Sequence, residues 1–318
     1  MILFYMSTAM PDDIFNKIVE NCISFKPTYS GVCFDRNVAE GLSEQTEIKA
    51  VSFYPIPSYP KYKNCVQEEI NCQIGSFKVC LPGMINFPII KEISYVLATV
   101  RKLKFWIRTN KTEEKAILIS GLYRCYIIPS IFIRMLYGIK VYAIVPDLPE
   151  LMITYRKDYS PFRNRLNHID VKIAKKMRNG LDGFIFLCPL MNEVVNLYNK
   201  PYLIIDGMVK EEITKTNIPA KCFNDSAKIV LYAGKISIQF GIDKLVESFL
   251  KADLKNVFLH LCGDGDFSVQ LKRISEKNYN VIYHGIVSHD SVIEMEKRST
   301  LLVDPRSSEL PLSKMSFP

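Results

Sequence analysis

The stretch Lys228–Phe249, KIVLYAGKISIQFGIDKLVESF, decides the fold of this 318-residue chain. It begins with an apolar, β-branched run, turns at Gly234 and Lys235, and continues with a helical pattern whose apolar residues share one face, namely Leu245, Val246, Phe249 and Leu250. A strand that leads through a glycine turn into an amphipathic helix is the repeating unit of a doubly wound parallel sheet.

The same alternation recurs along the chain. Downstream, the pattern predicts helices at Ile242–Leu254, Phe267–Lys277 and His289–Arg298, and strands at Lys228–Ala233, Val257–Cys262, Val281–Tyr283 and Thr300–Val303. Upstream, it predicts strands at Ile2–Ser7, Ile48–Phe53, Ala116–Ser120, Lys140–Val145, Gly183–Leu187 and Tyr202–Ile205. The upstream helices are expected at Val32–Gln45, Ile89–Thr109, Ile127–Tyr137, Arg163–Asn179 and Leu190–Leu197. Prolines and cysteines between Pro55 and Pro88 predict an irregular insertion.

These elements predict an α/β fold of two Rossmann-like, doubly wound domains. We place the first domain at residues 1–209 and the second at residues 226–318, with the polar stretch 210–225 as the linker. A chain of this length is expected to divide its core in this way, because single domains average roughly 100 to 200 residues.

Composition narrows the class of protein without naming it. With 48% hydrophobic and 23% charged residues, the chain resembles an ordinary soluble globular protein. The net charge of +8 favours an anionic partner, which could be a phosphate-bearing substrate, nucleic acid or an acidic membrane. Basic residues gather at 101–111, 156–165 and 172–178, spaced as on helix faces.

Cysteine usage and the apolar segments predict a cytoplasmic chain. Its nine cysteines include no C-x-x-C pair and no zinc-like spacing, which indicates a reduced compartment and no metal centre. The first residues lack the features of a secretory signal. The longest apolar stretch is interrupted by Arg124, Arg134 and Lys140, so it does not predict a membrane span.

Ligands of open parallel sheets bind beyond the carboxyl ends of the strands. The loops that follow the strands of the second domain contain Gly234, Gly263, Gly265 and Gly285, which permit positive φ or a close backbone approach. Each glycine alone is typical of a simple turn, but three such loops along one sheet predict a phosphate site. Gly234 and Gly241 are seven residues apart, so the spacing does not match the dinucleotide fingerprint G-x-G-x-x-G.

Four ordered motifs resemble the nucleotide-sugar domain of the retaining glycosyltransferases of group 1, also called family 4. They are KIVLYAGKISIQFGIDKLVESF, LHLCGDGD, NVIYHGIVSHDSVIEM and TLLVDPR followed by SFP. The first half is similar to the acceptor-side domain in KPTYSGVCFDRNVAEGLSEQ, KVYAIVPDLPEL, LDGFIFLCPLMNEVVN and YLIIDGMV. The resemblance extends to the bacterial enzymes that build capsular and exopolysaccharides, and it implies the GT-B fold.

The resemblance implies roles by position. Lys235 takes the place of the family's phosphate-binding arginine, while Phe240 stands where a companion lysine is usual. The other donor contacts that the resemblance implies are Gly234, Gly263, Gly265, Ile286, Val287, Ser316 and Phe317. In the first domain, Gly31 matches the glycine whose amide approaches the donor phosphate or acceptor. For Lys235, a solvated lysine at a strand end is the open alternative.

Two departures concern the catalytic acids. Where many members carry a histidine beside an aspartate, this chain has Pro146 and Asp147, which leaves Asp147 to orient the acceptor hydroxyl or to serve only as a loop or cap residue. The family's E-x7-E pair aligns with Met315 and a position beyond Pro318, and Glu309 lies six residues too early. We therefore expect a second domain truncated at its carboxyl end.

The implied reaction moves a sugar from a UDP- or GDP-sugar to a hydroxyl of a saccharide or lipid-linked saccharide, with retention of configuration. In this family the leaving phosphate helps to deprotonate the acceptor, and no metal or cofactor is required. The implied partners are the donor, the acceptor and an anionic membrane face, but no nucleic acid. A truncated or inactive nucleotide-sugar-binding protein and a GT-B sugar epimerase remain the alternatives.

Overall fold

The computed structural model describes residues 1–23, 27–148, 172–207 and 227–307. The chain divides into two compact units, whose main segments are Met1–Lys210 and Glu211–Lys314. The predicted linker falls in the stretch 208–226, outside the described residues, so the domain boundaries stay a prediction.

The first unit is built on a sheet of eight strands in the described chain, in the order β10-β9-β8-β7-β1-β2-β5-β4. Every neighbouring pair in it is parallel except β4 and β5, which are antiparallel. The strands are β1 (Ile2–Ser7), β2 (Glu47–Ser52), β4 (Ile70–Ile74), β5 (Phe77–Leu81), β7 (Lys115–Ser120), β8 (Lys140–Val145), β9 (Gly183–Phe186) and β10 (Tyr202–Ile204).

Helices cover both faces of this sheet, because its central strands are apolar on both sides. All six residues of β1 are buried; Phe4 and Met6 lie in one core, and Leu3 and Tyr5 lie in the other. Continuous burial of this kind is expected for the middle strand of a parallel sheet. The core around Leu3 and Tyr5 is covered by helices α1 (Asp12–Glu20) and α2 (Tyr29–Ser43). The core around Phe4 and Met6 is covered by α3 (Ile90–Thr109), α4 (Arg124–Tyr137) and α5 (Pro189–Val195).

Most of the predicted elements of the first unit are confirmed within a few residues, but the region 55–88 is not an irregular insertion. The antiparallel strands β4 and β5 extend the main sheet there, and two short strands, β3 (Val66–Gln67) and β6 (Met84–Ile85), form a separate pair. Helix α1 was not predicted. Residues 172–177 are helical and precede a 3-10 turn at Arg178–Gly180, whereas residues 163–171 of the predicted helix lie outside the described chain.

The second unit contains a parallel sheet of four described strands in the order β13-β12-β11-β14. These are β11 (Lys228–Ala233), β12 (Val257–Cys262), β13 (Val281–Gly285) and β14 (Leu301–Leu302). Helices α6 (Ile242–Ala252) and α7 (Ser268–Lys277) bury Val246, Phe249 and Leu271 in the core of this unit. Helix α8 (His289–Arg298) buries none of its residues.

The predicted α/β fold of parallel sheets and helices is confirmed in both units. In each sheet the parallel strands direct their carboxyl ends to one edge, where the loops of the candidate site follow. Among the described helices, none is both long and apolar enough to cross a bilayer. Five of the described cysteines are free thiols, namely Cys65, Cys72, Cys80, Cys125 and Cys262.

Candidate functional site

Three loops at the carboxyl edge of the second unit are fastened to one another by backbone hydrogen bonds. The Gly234 amide donates to Cys262 O at 3.0 Å, and the Ile236 amide donates to Asp264 O at 3.1 Å. The Gly263 amide donates to Gly285 O at 2.8 Å, which connects the loops after β12 and β13. The predicted glycine loops of β11, β12 and β13 are therefore neighbours in space.

Two glycines make this close packing possible. A Cβ atom on Gly263 would lie 1.8 Å from Gly234 O, and one on Gly265 would lie 2.1 Å from Ile236 O. Gly263 also has φ +130°, in the region that favours glycine. In this structure both glycines accommodate the backbone of the neighbouring loop, and that contact shapes the edge where the sequence predicts a phosphate site.

Lys235 lies exposed in the loop after β11, and the Tyr232 hydroxyl donates to its carbonyl oxygen at 3.0 Å. Burial, followed by the nearby charge of Asp304, raises the pKa of Tyr232 to about 12, so the phenol stays protonated and continues to donate. The backbone of Lys235 is thus fixed by a buried tyrosine while its ammonium group extends into solvent. An ammonium group in this position can contact an oxyanion as a point charge.

A second cation that the sequence reasoning did not assign follows β14. Arg306 forms an ion pair with Asp304, with Nη2 2.7 Å and Nε 2.9 Å from Oδ2. Hydrogen bonds from Arg306 lower the pKa of Asp304 and keep it ionised. The sequence signal for this cation was Arg306 in the motif VDPR, just after the carboxyl end of a predicted strand.

The remaining charges on the described residues of these loops are acidic. Asp264 and Asp266 lie exposed in the loop after β12. With Arg306 paired to Asp304, Lys235 carries the positive charge that the described residues of these loops offer to an anionic ligand. Recognition of a diphosphate here would therefore depend strongly on that lysine and on backbone amides.

The loop after β13 carries the predicted base-facing residues. Ile286 is 71% exposed and Val287 is half-buried. His284, at the end of β13, contacts His260 on β12, with Nε2 and Nδ1 3.2 Å apart. Burial lowers the pKa of both imidazoles, which favours their neutral forms.

Helix α6 begins directly after the loop that carries Lys235. Gly241, its N-terminal cap, has φ +77°, and a Cβ there would lie 2.4 Å from Pro305 O in the loop after β14. Phe240, which replaces the family's companion lysine, is half-buried. The loops of all four described strands therefore adjoin one another at this edge.

In the first unit, the carboxyl edge is organised around a buried carboxylate that the sequence reasoning missed. Asp35 on α2 accepts hydrogen bonds from the Thr8 amide and the Thr8 hydroxyl, both at 2.6 Å. It also accepts from Ser120 Oγ at the end of β7 and from the Tyr5 hydroxyl at 3.4 Å. Burial raises the pKa of Asp35, and these donors oppose that shift.

A signal for Asp35 was present in the helix pattern. The buried residues of α2 are Val32, Asp35, Val38 and Ala39, so an acid occupies the apolar stripe. Buried acids are rare unless they have partners. The partners are Thr8 and Ser120, and they come from strand ends that are distant in sequence.

The predicted acceptor residue Asp147 lies half-buried after β8, near Tyr123. Tyr123 is 47% exposed in the loop after β7. Partial burial of its phenol, and then the charges of Asp147 and Asp35, raise the pKa of Tyr123 to about 12. A partly exposed tyrosine near a carboxylate supplies a hydrogen-bond donor and acceptor that could orient a hydroxyl group.

Gly31 lies inside the first turn of α2, because the helix begins at Tyr29 and not at Val32 as predicted. The capping residue Thr28 makes no side-chain hydrogen bond to this turn. The first amides of a helix have no intrahelical partner, so the Gly31 amide remains suited to an oxyanion. The predicted site residues Ser316 and Phe317 lie outside the described residues.

No three His, Cys, Asp or Glu side chains in the described part of the chain are grouped as metal ligands would be. That the reaction needs no metal or cofactor stays a prediction.

Two Rossmann-like units with loops at the carboxyl edges of their parallel sheets match the two-domain architecture of the GT-B fold. Known protein families and characterised proteins give no sequence match to the chain. Solved structures do match it: the catalytic domain of starch synthase IV from Arabidopsis thaliana, bound to ADP and acarbose, superimposes with a TM-score of 0.59 and 7% identity. That match covers 96% of this chain and 78% of the other.

Two further solved structures are similar over comparable lengths. Sucrose-phosphate synthase from Thermosynechococcus elongatus gives a TM-score of 0.56 and 12% identity, covering 96% of this chain and 75% of its own. The lipopolysaccharide outer core galactosyltransferase WaaB gives a TM-score of 0.53 and 13% identity, covering 95% of this chain and 73% of its own. At these identities the likeness establishes the fold, and the activity has to be argued from the site.

Proposed function

We propose that the chain is a retaining glycosyltransferase of polysaccharide biosynthesis. It would transfer a sugar from a UDP- or GDP-sugar to a hydroxyl of a saccharide or lipid-linked saccharide. The observation that carries the proposal is the packing of glycine loops at the carboxyl edge of the second unit, where a Cβ on Gly263 or Gly265 would overlap a neighbouring backbone. The fold shared with sugar-transferring enzymes supports it.

The donor diphosphate would be held at this edge by backbone amides and by Lys235. Fixed dipoles and a cation beside the departing diphosphate stabilise the charge that develops in the transition state. The family resemblance assigns the same edge to the sugar nucleotide, with Ile286 and Val287 against the base. In this proposal the leaving phosphate accepts the acceptor proton, and no metal is needed.

The acceptor hydroxyl would be oriented in the first unit by Asp147 with the help of Tyr123. The Asp35 hydrogen bonds hold the ends of β1 and β7, from which the surrounding loops leave the sheet. A pre-organised acceptor lowers the entropic cost of bringing two substrates together. Asp147→Ala should reduce transfer to the acceptor more than it reduces hydrolysis of the donor.

Donor turnover tests the assignment. The full chain, incubated with UDP-sugars and GDP-sugars, should release nucleoside diphosphate, and Lys235→Ala should slow the release about tenfold or more, since a charged contact contributes roughly 1.5 to 3 kcal/mol. Lys255→Ala, at the opposite edge of the same sheet, is the matched control. Nucleotide binding without any release or transfer would favour the alternative of a non-catalytic binding protein.

An anionic membrane surface is the proposed location of the acceptor. The outward face of α3 presents Ile93 and Leu97, and that of α4 presents Ile128, Phe132, Met135 and Leu136. All of these are exposed, Met135 by 76%. Basic residues lie among the apolar ones, since Arg101 and Arg108 are exposed on α3 and Lys104 Nζ lies 5.5 Å from the Phe132 ring centroid. Apolar and basic residues on one helical face suit an anionic bilayer.

Flotation tests this surface. The protein should float with vesicles that contain anionic lipid at low salt, and high salt should weaken the association. Met135→Ser combined with Phe132→Ser should abolish flotation, whereas Tyr279→Ser, which alters an 84% exposed tyrosine of the second unit, should not. A protein that never floats would indicate a soluble acceptor.

A further inference from the structure

Two lysines lie side by side on neighbouring strands at the amino-terminal ends of β2 and β5. Lys49 and Lys78 are register partners in this parallel pair, so their side chains leave the same face of the sheet. Strands are about 4.8 Å apart, and like charges at that spacing are destabilising. Neither lysine forms an ion pair with any residue that the structure describes.

Helix α3 completes a groove over these lysines. Lys102, Phe105 and Trp106 of α3 line it together with Lys49 and Lys78, and its volume is about 510 Å³. That volume is in the usual range of small-ligand sites, roughly 300 to 1,000 Å³. Phe105 is 68% exposed, whereas Trp106 is largely buried.

The charges that line the groove leave an excess of cations. Lys102 is paired with Glu69, with Nζ 2.6 Å from Oε1, and this pair is neutral. Glu47 is the acidic residue among those lining the groove. Against it stand Lys49 and Lys78, so an anion bound between the two lysines would relieve their mutual repulsion.

The groove is distinct from the acceptor site proposed above. It is formed where β2 and β5 begin, at Glu47 and Phe77, whereas Asp35, Tyr123 and Asp147 lie at the carboxyl ends of the strands of the same sheet. A ligand in the groove therefore does not compete for the same residues, and the inference does not depend on glycosyl transfer.

We propose that this groove binds a phosphorylated sugar. The ammonium groups of Lys49 and Lys78 would contact the phosphate, since lysine recognises phosphate as a point charge. The exposed ring of Phe105 offers a flat apolar surface for one face of the sugar. Hydroxyl and amide groups of Thr46, Ser76 and Asn110 line the same space and can bind sugar hydroxyls.

Trp106 provides a direct reporter, because it is the single tryptophan of the chain and lies in the groove. A titration with glucose 1-phosphate should change its fluorescence in a saturable way, and isothermal calorimetry on the same samples should give the same affinity. Lys49→Ala and Lys78→Ala should each weaken binding about tenfold. Lys140→Ala is the matched control, because Lys140 is an exposed lysine at the start of β8, outside the groove.

Parallel titrations separate the possible ligands. Glucose should give no response, and inorganic phosphate should bind more weakly than glucose 1-phosphate. Equal affinity for inorganic phosphate would overturn the sugar part of the assignment. Three results would overturn the site itself. They are a response to anionic vesicles alone, the absence of a saturable signal by either method, and binding that both lysine variants leave unchanged.

Discussion

Replacing Asp35 by alanine tests how the carboxyl edge of the first unit is held together. The change removes the acceptor of the Thr8 amide, the Thr8 hydroxyl, Ser120 Oγ and the Tyr5 hydroxyl. The hydroxyls can rotate to other acceptors, but the partly buried Thr8 amide cannot, and leaving it unsatisfied costs roughly 1 to 3 kcal/mol. With the small cavity left behind, we expect a loss of about 3 kcal/mol in the free energy of unfolding.

Asp35→Asn separates hydrogen bonding from packing. Its carbonyl can still accept from the Thr8 amide, and its amide group can donate to hydroxyls that reverse direction, so we expect a loss of only about 1 kcal/mol. Urea unfolding followed by Trp106 fluorescence measures the first unit, where the single tryptophan lies. An alanine variant as stable as the wild type, or an asparagine variant less stable than the alanine one, would refute the reasoning.

The same variants carry a pH signature. Burial raises the pKa of Asp35 despite its four donors. The native state then binds the proton more tightly than the unfolded state, so this residue's contribution to stability declines as pH rises from about 4 through the raised value. Asp35→Asn should remove that part of the slope, and an unaltered slope would show that Asp35 does not titrate in this way.

Two further variants probe backbone and charge. Gly263→Ala should destabilise the second unit by several kcal/mol more than Gly285→Ala. A Cβ on Gly263 would lie 1.8 Å from Gly234 O, whereas a Cβ on Gly285 meets nothing within 4 Å. Thermal unfolding that shows equal losses for the two variants would contradict this prediction. Arg134→Ala should cost about 1 kcal/mol above pH 5, since burial of Asp182 opposes its ionisation but hydrogen bonds from Arg134 and the Val141 amide lower its pKa overall. That stability is present above the unfolded pKa of Asp182 and is lost as pH falls through the lower folded value, so the cost of the substitution should diminish in the same direction.

The central strands and most helices could be predicted from the sequence, because fully buried parallel strands appear as continuous apolar runs. Strands β1, β8, β11 and β12 begin and end where the pattern places them. The hairpin of β4 and β5 was missed because its strands are only five residues long and lie among the prolines and cysteines that predict an irregular segment. Strands of this kind are defined by their pairing more than by their composition.

The site could be predicted only where it follows local sequence. Glycines after strands predict a ligand edge by position alone, whereas the role of Lys235 comes from the family resemblance and stays a prediction. Asp35 takes its donors from residues up to 85 positions away, and Lys49 meets Lys78 only through strand register. An acid in the apolar stripe of α2 marks Asp35 itself. The partners of Asp35 and Lys49 leave no signal in a single sequence, because both pairings depend on tertiary structure.

Calorimetric titration of the full chain with UDP and GDP tests the central claim, that the carboxyl edge of the second unit binds a nucleoside diphosphate. We predict saturable binding of at least one of the two without added metal, about tenfold weaker in Lys235→Ala and unchanged in Lys255→Ala. Binding unaffected by Lys235→Ala would contradict the assigned edge. The absence of binding by either nucleotide at millimolar concentration would contradict the claim as a whole.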